Sequence, residues 1–452
     1  MGITAFIVLV ILEIAMAVRV CRSKPEKKVW RRDRLILRCV EFLMVLLHLL
    51  TSPAQKWRFV PVLVFLGLLL VIAALSALIG RKKDDGVKKS GGAVAAGVLC
   101  MLFLGLLLIP AFVFTGYSGL PVSGEHAIGE TAAILVDSSR TDPFEQDGSS
   151  REVPVHFYYP ADAAEGERFP LVVFSHGAFG YYQSNTSTYM ELASNGYVVA
   201  ALDHPHHAFF TQDTQGRTII VDQAFINAAM TLSDETDKQE QMDMYRAWMG
   251  LRVPDMNFAV DEIKAAAQAG TADDSWFITG KESEKIQAVL AMTDTDKIGL
   301  MGHSMGGATS VQVGRERGDI AAVIDLDGTM LGEYLAVENG EWVVSDVPYP
   351  LPVLDFNNWE FYNDIEEYRA MGYPYPNVAV IDNAETGFSV GMRDAKHMDF
   401  TDLPLLSPTL GRMLGSGERS TREVMTIVNS LVLQFFNCYL KGEGAFTAQG
   451  IY

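Results

Sequence analysis

The segment GVLCMLFLGLLLIPAFVF, residues 97–114, runs without one charged side chain. A helix built from it is apolar on every face, so it must be enclosed by a large core or by lipid. Three more apolar runs precede it, and helices are expected over residues 2–18, 35–50, 60–80 and 92–115. The last two reach the roughly 20 residues that a bilayer core requires. The first carries Glu13. The second carries Arg38, Glu41 and His48, and its alternative reading is a re-entrant segment packed by an Arg38/Glu41 pair.

Charge orients these runs. The opening MGITAF has no basic side chain, unlike a secretory signal. RVCRSKPEKKVWRRDR and RKKDDGVKK are strongly basic, whereas TSPAQKW is nearly bare. The positive-inside rule places both basic loops in the cytoplasm. Four spans satisfy it and leave the N-terminus and everything after Thr115 outside. The expected organisation is a transmembrane region over residues 1–116 and an extracytoplasmic domain over 117–452, a multi-pass protein of the cell membrane. Residues 1–116 hold 16 Lys and Arg against 6 Asp and Glu, and the remainder holds 20 against 49. So acidic a domain is repelled by nucleic acid and by anionic membrane surfaces. Cys438 is the only cysteine after residue 116, so no disulfide forms within that domain, and no CxxC or HExxH metal spacing occurs.

From about Glu125 the pattern changes. Strands are expected at AAILVDSS, VPVHFYYP, FPLVVFSHG, GYVVAALDHP, KIGLMGHS, IAAVIDLDG, LPVLDFNN and NVAVIDNA, the later ones as continuous apolar runs typical of buried parallel strands. Helical patterns fall between them, in SNTSTYMELASN, NFAVDEIKAAAQ and MGGATSVQVGRER, and STREVMTIVNSLVLQFFNCYL closes the chain as a helix. This alternation predicts an α/β domain with a mostly parallel sheet covered on both faces, after two antiparallel strands. Residues 204–254 form a long insertion in which Met242, Tyr245 and Met249 share a helical face; a lid or a surface helix packed on the core are its two readings. YLAVENGEWVVSDVP reads as a hairpin turning at Asn339-Gly340.

Within KIGLMGHSMGGAT, Ser304 falls between a predicted strand and a predicted helix, with glycine two residues before and after it. This is the arrangement of a nucleophile elbow, whose tight turn needs small neighbours and aims the Met305 N–H at a developing oxyanion. Serine needs a base, and His397 in DAKHMDFTD is the one histidine that follows it. The base needs an acid. Asp327, at the tip of the strand after the elbow helix, is favoured; Asp325 falls inside that strand, and Asp364 is the rival in the loop after LPVLDFNN. The second oxyanion donor is expected at Ala178 in FSHGAFG, with His176 bracing the loop. DHPHH, residues 203–207, reads as a polar loop rather than a metal site, because adjacent side chains diverge.

FSHGAFG, DKIGLMGHSMGGAT, IDLDGTM and KHMDFTD, together with the helix RVPDMNFAVDEI, resemble the platelet-activating factor acetylhydrolase family of the plasma, isoform II type, over about residues 132–440. The resemblance implies an α/β-hydrolase fold and ester hydrolysis without metal or cofactor. It carries the nucleophile, acid and base onto Ser304, Asp327 and His397, and the oxyanion donors onto Ala178 and Met305. Met305 stands where familiar members have an aromatic residue, and the four apolar runs have no counterpart in them. A membrane-anchored serine esterase acting on small-molecule ester or lipid substrates, including short-chain or oxidised phospholipids, is the leading expectation. A general carboxylesterase or polyester hydrolase, or a catalytically silent sensor or binding module, is the alternative.

Overall fold

The computed structural model describes residues 2–51, 56–80, 86–114, 119–233 and 236–452. Residues 52–55 and 81–85, in two of the loops used for the charge argument, and Thr115 lie outside them. The chain divides into two compact units, Met1–Ser118 with Leu405–Leu410, and Gly119–Pro404 with Gly411–Tyr452.

In the first unit each apolar run forms a helix: α1 (Gly2–Ser23), α2 (Lys27–Thr51), α3 (Lys56–Ile79) and α4 (Ser90–Leu107), followed by the short α5 (Ile109–Val113). Helix α2 is continuous, and it buries Arg38 between Glu41, at 2.5 Å, and Glu13 of α1. Polar groups are therefore inside this unit. Val64, Leu68, Leu102 and Leu106 face outward, each more than half exposed. Among the described residues, three helical segments are by length and composition apolar enough to cross a membrane: Trp57–Ile79, Ser90–Leu107 and Thr421–Lys441. The third belongs to the second unit, where Val424, Val428, Val432 and Phe435 pack into the core.

The second unit is built on one ten-stranded sheet. Its strands and the two hairpins beside it are β1 (Ile128–Thr141), β2 (Ser150–Pro160), β3 (Phe169–Ser175), β4 (Val198–Leu202), β5 (Phe210–Gln212), β6 (Thr218–Ile220), β7 (Trp276–Phe277), β8 (Thr293–His303), β9 (Ala322–Leu326), β10 (Tyr334–Glu338), β11 (Glu341–Val344), β12 (Val353–Asn358), β13 (Gly387–Met392) and β14 (Gly450–Ile451). The sheet order is β14-β13-β12-β9-β8-β3-β4-β2-β1-β7. From β14 to β4 every pairing is parallel, and β2, β1 and β7 continue it antiparallel. Strands β3, β4 and β9 are buried at every residue, because helices cover both faces.

Those helices are α6 (Thr186–Ser194), α7 (Gln223–Thr231), α8 (Lys238–Ala269), α9 (Glu282–Met292), α10 (Met305–Glu316), α11 (Trp359–Met371), α12 (Pro376–Asn383) and a closing helix, Thr421–Phe436. Two expectations need correction. NVAVIDNA is not a strand but α12, with Pro376 in its first turn, where proline suits a helix. Its run of valine and isoleucine is too short for periodicity to separate helix from strand. The strand follows instead at GFSVGM, β13, whose two glycines and serine hide it. The helix around Met242 and the helix NFAVDEIKAAAQ are also one element, α8, which continues through Pro254. Asn339-Gly340 does turn the β10–β11 hairpin, both residues having positive φ.

Candidate active site

Parallel strands deliver their carboxyl ends to one edge, and five adjacent strands there, β13, β12, β9, β8 and β3, carry the candidate site. Ser304 follows β8 and Asp327 follows β9, its neighbour. Asn358 ends β12, and His397 lies just beyond β13 in a 3₁₀ turn, His397–Phe400. Ala178 follows β3, on the other side of β8. The Ser304 N–H donates to Leu326 O at 2.9 Å, tying the serine to the strand that ends at Asp327.

Ser304 has φ 56° and ψ −125°, a conformation that L-residues avoid. The turn closes because its flanks have no side chains. A Cβ on Gly302 would strike the backbone of Gly306, and one on Gly306 would strike the carbonyls of Ser175 and His176. Asp327, Phe179, His206 and Asp394 also have positive φ, so backbone strain concentrates in and beside the site.

His397 Nδ1–H donates to Asp327 Oδ2 at 2.7 Å. Asp327 also accepts from the Asn358 N–H at 2.6 Å and from Asn358 Nδ2 at 2.9 and 3.0 Å. Burial pushes its carboxyl up, but the bonds from His397 and Asn358 outweigh burial and hold it below the usual carboxylate range. Asp327 is therefore held as an anion against the His397 ring, the arrangement a catalytic acid would need. Asp364, the rival, lies within α11. Among the described residues no hydrogen bond joins the Ser304 hydroxyl to His397; in ligand-free enzymes this contact is commonly long and shortens with substrate bound.

His303 packs on His397. Its ring lies 4.6 Å from the His397 ring, and its Nε2–H donates to His397 O at 3.2 Å. Burial, reinforced by His397, depresses its pKa to about 3. It thus packs beside His397 without adding charge.

The other side of the serine is the loop His176–Gly177–Ala178. A Cβ on Gly177 would lie 3.2 Å from Ser304 Cβ, so this loop approaches Ser304 directly. Neither the Ala178 nor the Met305 N–H is engaged in a loop, cap or turn hydrogen bond among the described residues. Met305 packs with Phe225 and Trp248 of the insertion, and Ala178 and Phe179 border that apolar cluster.

Several residues here were not singled out from the sequence. Asn358 holds Asp327 and caps α11, accepting from the Glu360 and Phe361 N–H groups at 3.0 Å. Its one sequence signal is an asparagine just before a helical run. Arg151, Arg252 and Asp255 are fully buried behind the Ala178 loop. Asp255 accepts from Arg151 at 2.8 and 3.1 Å and from His204 Nδ1–H at 3.0 Å, while His204 Nε2 meets Ser175 Oγ at 2.9 Å. Within DHPHH, Asp203 instead accepts from the Tyr182 N–H and from Thr211, and His207 Nδ1 accepts from Arg252. Those side chains therefore point to separate partners.

One buried pair is strained electrostatically. Asp325 and Asp355 stand opposite each other on β9 and β12, and among the described residues no side chain donates to Asp325. Burial raises both carboxyls, Asp325 well above the usual range, where Asp355 adds to the effect, and Asp355 to about 7.

Two comparisons define what this architecture is. A mostly parallel sheet with a serine at a strained strand-to-helix turn is an α/β-hydrolase fold, and a solved ferulic acid esterase from Streptomyces cinnamoneus shares it. That structure superposes with TM-score 0.50 at 23% identity, covering 73% of this chain and 95% of the esterase. The family model described as platelet-activating factor acetylhydrolase, isoform II, matches residues 144–448, and the chain belongs to that family. It is 24% identical over 307 residues to the platelet-activating factor acetylhydrolase of Cavia porcellus, covering 64% of this chain and 62% of that protein. It is 21% identical over 285 residues to the one from Canis lupus familiaris, covering 61% and 58%. The chain thus spans about three fifths of the length of these relatives.

The Asp325–Asp355 pair yields a prediction. Its folded pKa values lie above those of an unfolded carboxyl, so its contribution is complete in acid and lost as pH rises through about 7. The stability of the native chain relative to Asp325→Asn, read from denaturant midpoints, should fall as pH rises from about 4 through about 7. Equal slopes in the two proteins would contradict this.

Proposed function

We propose that this chain is a membrane-anchored serine ester hydrolase. The observation that carries the reading is the 2.7 Å bond between Asp327 and His397 on the sheet edge that also holds Ser304 at its strained turn. In this mechanism His397 removes the Ser304 proton as Oγ attacks the ester carbonyl carbon. The oxyanion is held by the Ala178 and Met305 N–H groups. Collapse expels the alcohol, which takes the proton from His397, and a water activated by the same ring then releases the acid from the acyl-serine. Every step uses side chains and backbone of this chain alone.

Family membership supports carboxylic esters as the substrate class, with short-chain or oxidised phospholipid acyl esters as the specific proposal. The apolar cluster of Phe225, Trp248, Met305 and Phe179 beside the oxyanion donors supports an apolar acyl group. We assign the β5–β6 hairpin, α7 and the start of α8 to a lid or pocket wall. Membrane anchoring is supported by the inverted packing of the first unit, with Glu13, Arg38 and Glu41 inside and leucines and valines outside. With four spans the catalytic domain is extracytoplasmic.

Hydrolysis of nitrophenyl esters of increasing acyl length tests the reading. Ser304→Ala should abolish it, and Asp327→Asn should lower kcat by about 10³- to 10⁴-fold. Asp364→Asn should stay within a few-fold of native. Retained activity in Ser304→Ala sinks the reading, and a larger loss at Asp364 than at Asp327 reassigns the acid. Reporter fusions test topology separately: a fusion after Leu50 should report outside and one after Ser90 inside. Both on one side would refute four spans.

A further inference from the structure

We propose that Arg252 is a positioning residue that holds the Ala178 N–H in its oxyanion-binding direction. The inference rests on the esterase reading above and extends it to a residue outside the reacting groups.

Arg252 sits in the middle of α8 with no exposed surface. Its Nη1 donates to His176 O, its Nη2 to Gly177 O at 3.3 Å, and its Nε–H to His207 Nδ1 at 3.2 Å. Among the described residues it has no carboxylate partner. Asp255, one turn further along α8, is occupied by Arg151, Arg140 and His204. Burial lowers the Arg252 pKa to about 9, so it is charged at neutral pH. A buried guanidinium with no directly paired carboxylate, only the field of Asp255, is an expensive way to fill space between a helix and a sheet. Its donors all go to the loop that carries Ala178 and to the histidine bound to that loop.

Peptide geometry gives this a consequence. In a planar trans peptide the C=O and the following N–H point in opposite directions. The Gly177 carbonyl is turned into three donors: Arg252 Nη2, His176 Nδ1 at 2.6 Å and the Gly180 N–H at 3.1 Å. The Ala178 N–H of the same peptide is therefore turned away from Arg252. A Cβ on Gly177 would lie 3.2 Å from Ser304 Cβ, so the peptide that carries this N–H flanks Ser304. A positive charge on the carbonyl side also polarises the peptide and strengthens its N–H as a donor.

The next residue needs the same restraint. Phe179 has φ 60°, and its N–H donates to His207 O at 3.2 Å. His207 thus receives Arg252 on its ring and Phe179 on its carbonyl. Burial, followed by repulsion from Arg252, depresses the His207 pKa to about 2. Its Nδ1 therefore remains an acceptor, and the link from Arg252 to the loop persists across the working pH range.

The test compares Arg252→Lys and Arg252→Met with the native full-length chain in detergent. Active sites are titrated with a fluorophosphonate, and inhibition by a trifluoromethyl ketone, which forms a tetrahedral adduct with the serine, is measured beside kcat and KM. Losing one oxyanion donor costs about 10²- to 10³-fold in kcat. Arg252→Met should lose about 10²-fold in kcat per titrated site with KM within about threefold, and Arg252→Lys should fall between it and native. Affinity for the ketone should fall in step with kcat/KM, and guanidinium added to Arg252→Met should restore part of the loss. Native kcat per titrated site in either variant overturns the proposal, as does lost kcat with unchanged ketone affinity. If even Arg252→Lys fails to fold, the residue serves the core alone and the proposal is overturned. If native hydrolysis does not depend on Ser304, the esterase reading and this proposal fall together; if it depends on Ser304 but not on Arg252, only this proposal falls.

Discussion

The second unit is arranged around a turn in which the backbone after β8 reverses so tightly that Gly302 and Gly306 touch. The turn holds Ser304 at φ 56° because the surroundings leave it no alternative. Leu326 O fixes its N–H, and the carbonyls of Ser175 and His176 press against Gly306. Those contacts come from β9 and β3, the two strands that flank β8. The same pairing that strains the serine thus brings Asp327 to one side of it and the Ala178 loop to the other. Stability and the candidate chemistry therefore draw on one set of contacts, and a side chain at either glycine would disturb both.

Charge is used differently in the two units. In the helical unit, Arg38 satisfies Glu13 and Glu41 internally while the exterior is apolar. In the α/β unit the surface is acidic, and the buried charges stand behind the site. Asp255 joins Arg151, Arg140 and His204 under the β3 end, and Arg252 grips the carbonyls of the loop above. Replacing such groups with apolar residues often does not harm stability, so their presence under the Ala178 loop, the proposed oxyanion donor, is better explained by orientation than by folding.

Much of the fold was legible because parallel strands buried on both faces read as apolar runs: β3, β4, β8, β9 and β12 all stand where that pattern puts them. β13 escaped because GFSVGM carries two glycines and a serine, while the more apolar α12 beside it took its place. The helical face around Met242 and the helix NFAVDEIKAAAQ, read apart, are one element, α8. Of the candidate site, Ser304 was legible from its motif and setting, and Asp327 and His397 from strand order and chain order. Asn358, His303 and Arg252 were not, since each acts by bonding or packing across elements that lie apart in the chain. Local pattern carries no trace of such partners.

The central claim is that Ser304 is an activated nucleophile. Mass spectrometry of the native chain after treatment with a fluorophosphonate tests it most directly. One adduct is expected, on the peptide containing Ser304, forming faster as pH rises through the titration of the base and strongly slowed in Asp327→Asn. Absence of an adduct, or an adduct on another serine with Ser304 unmodified, would contradict the account.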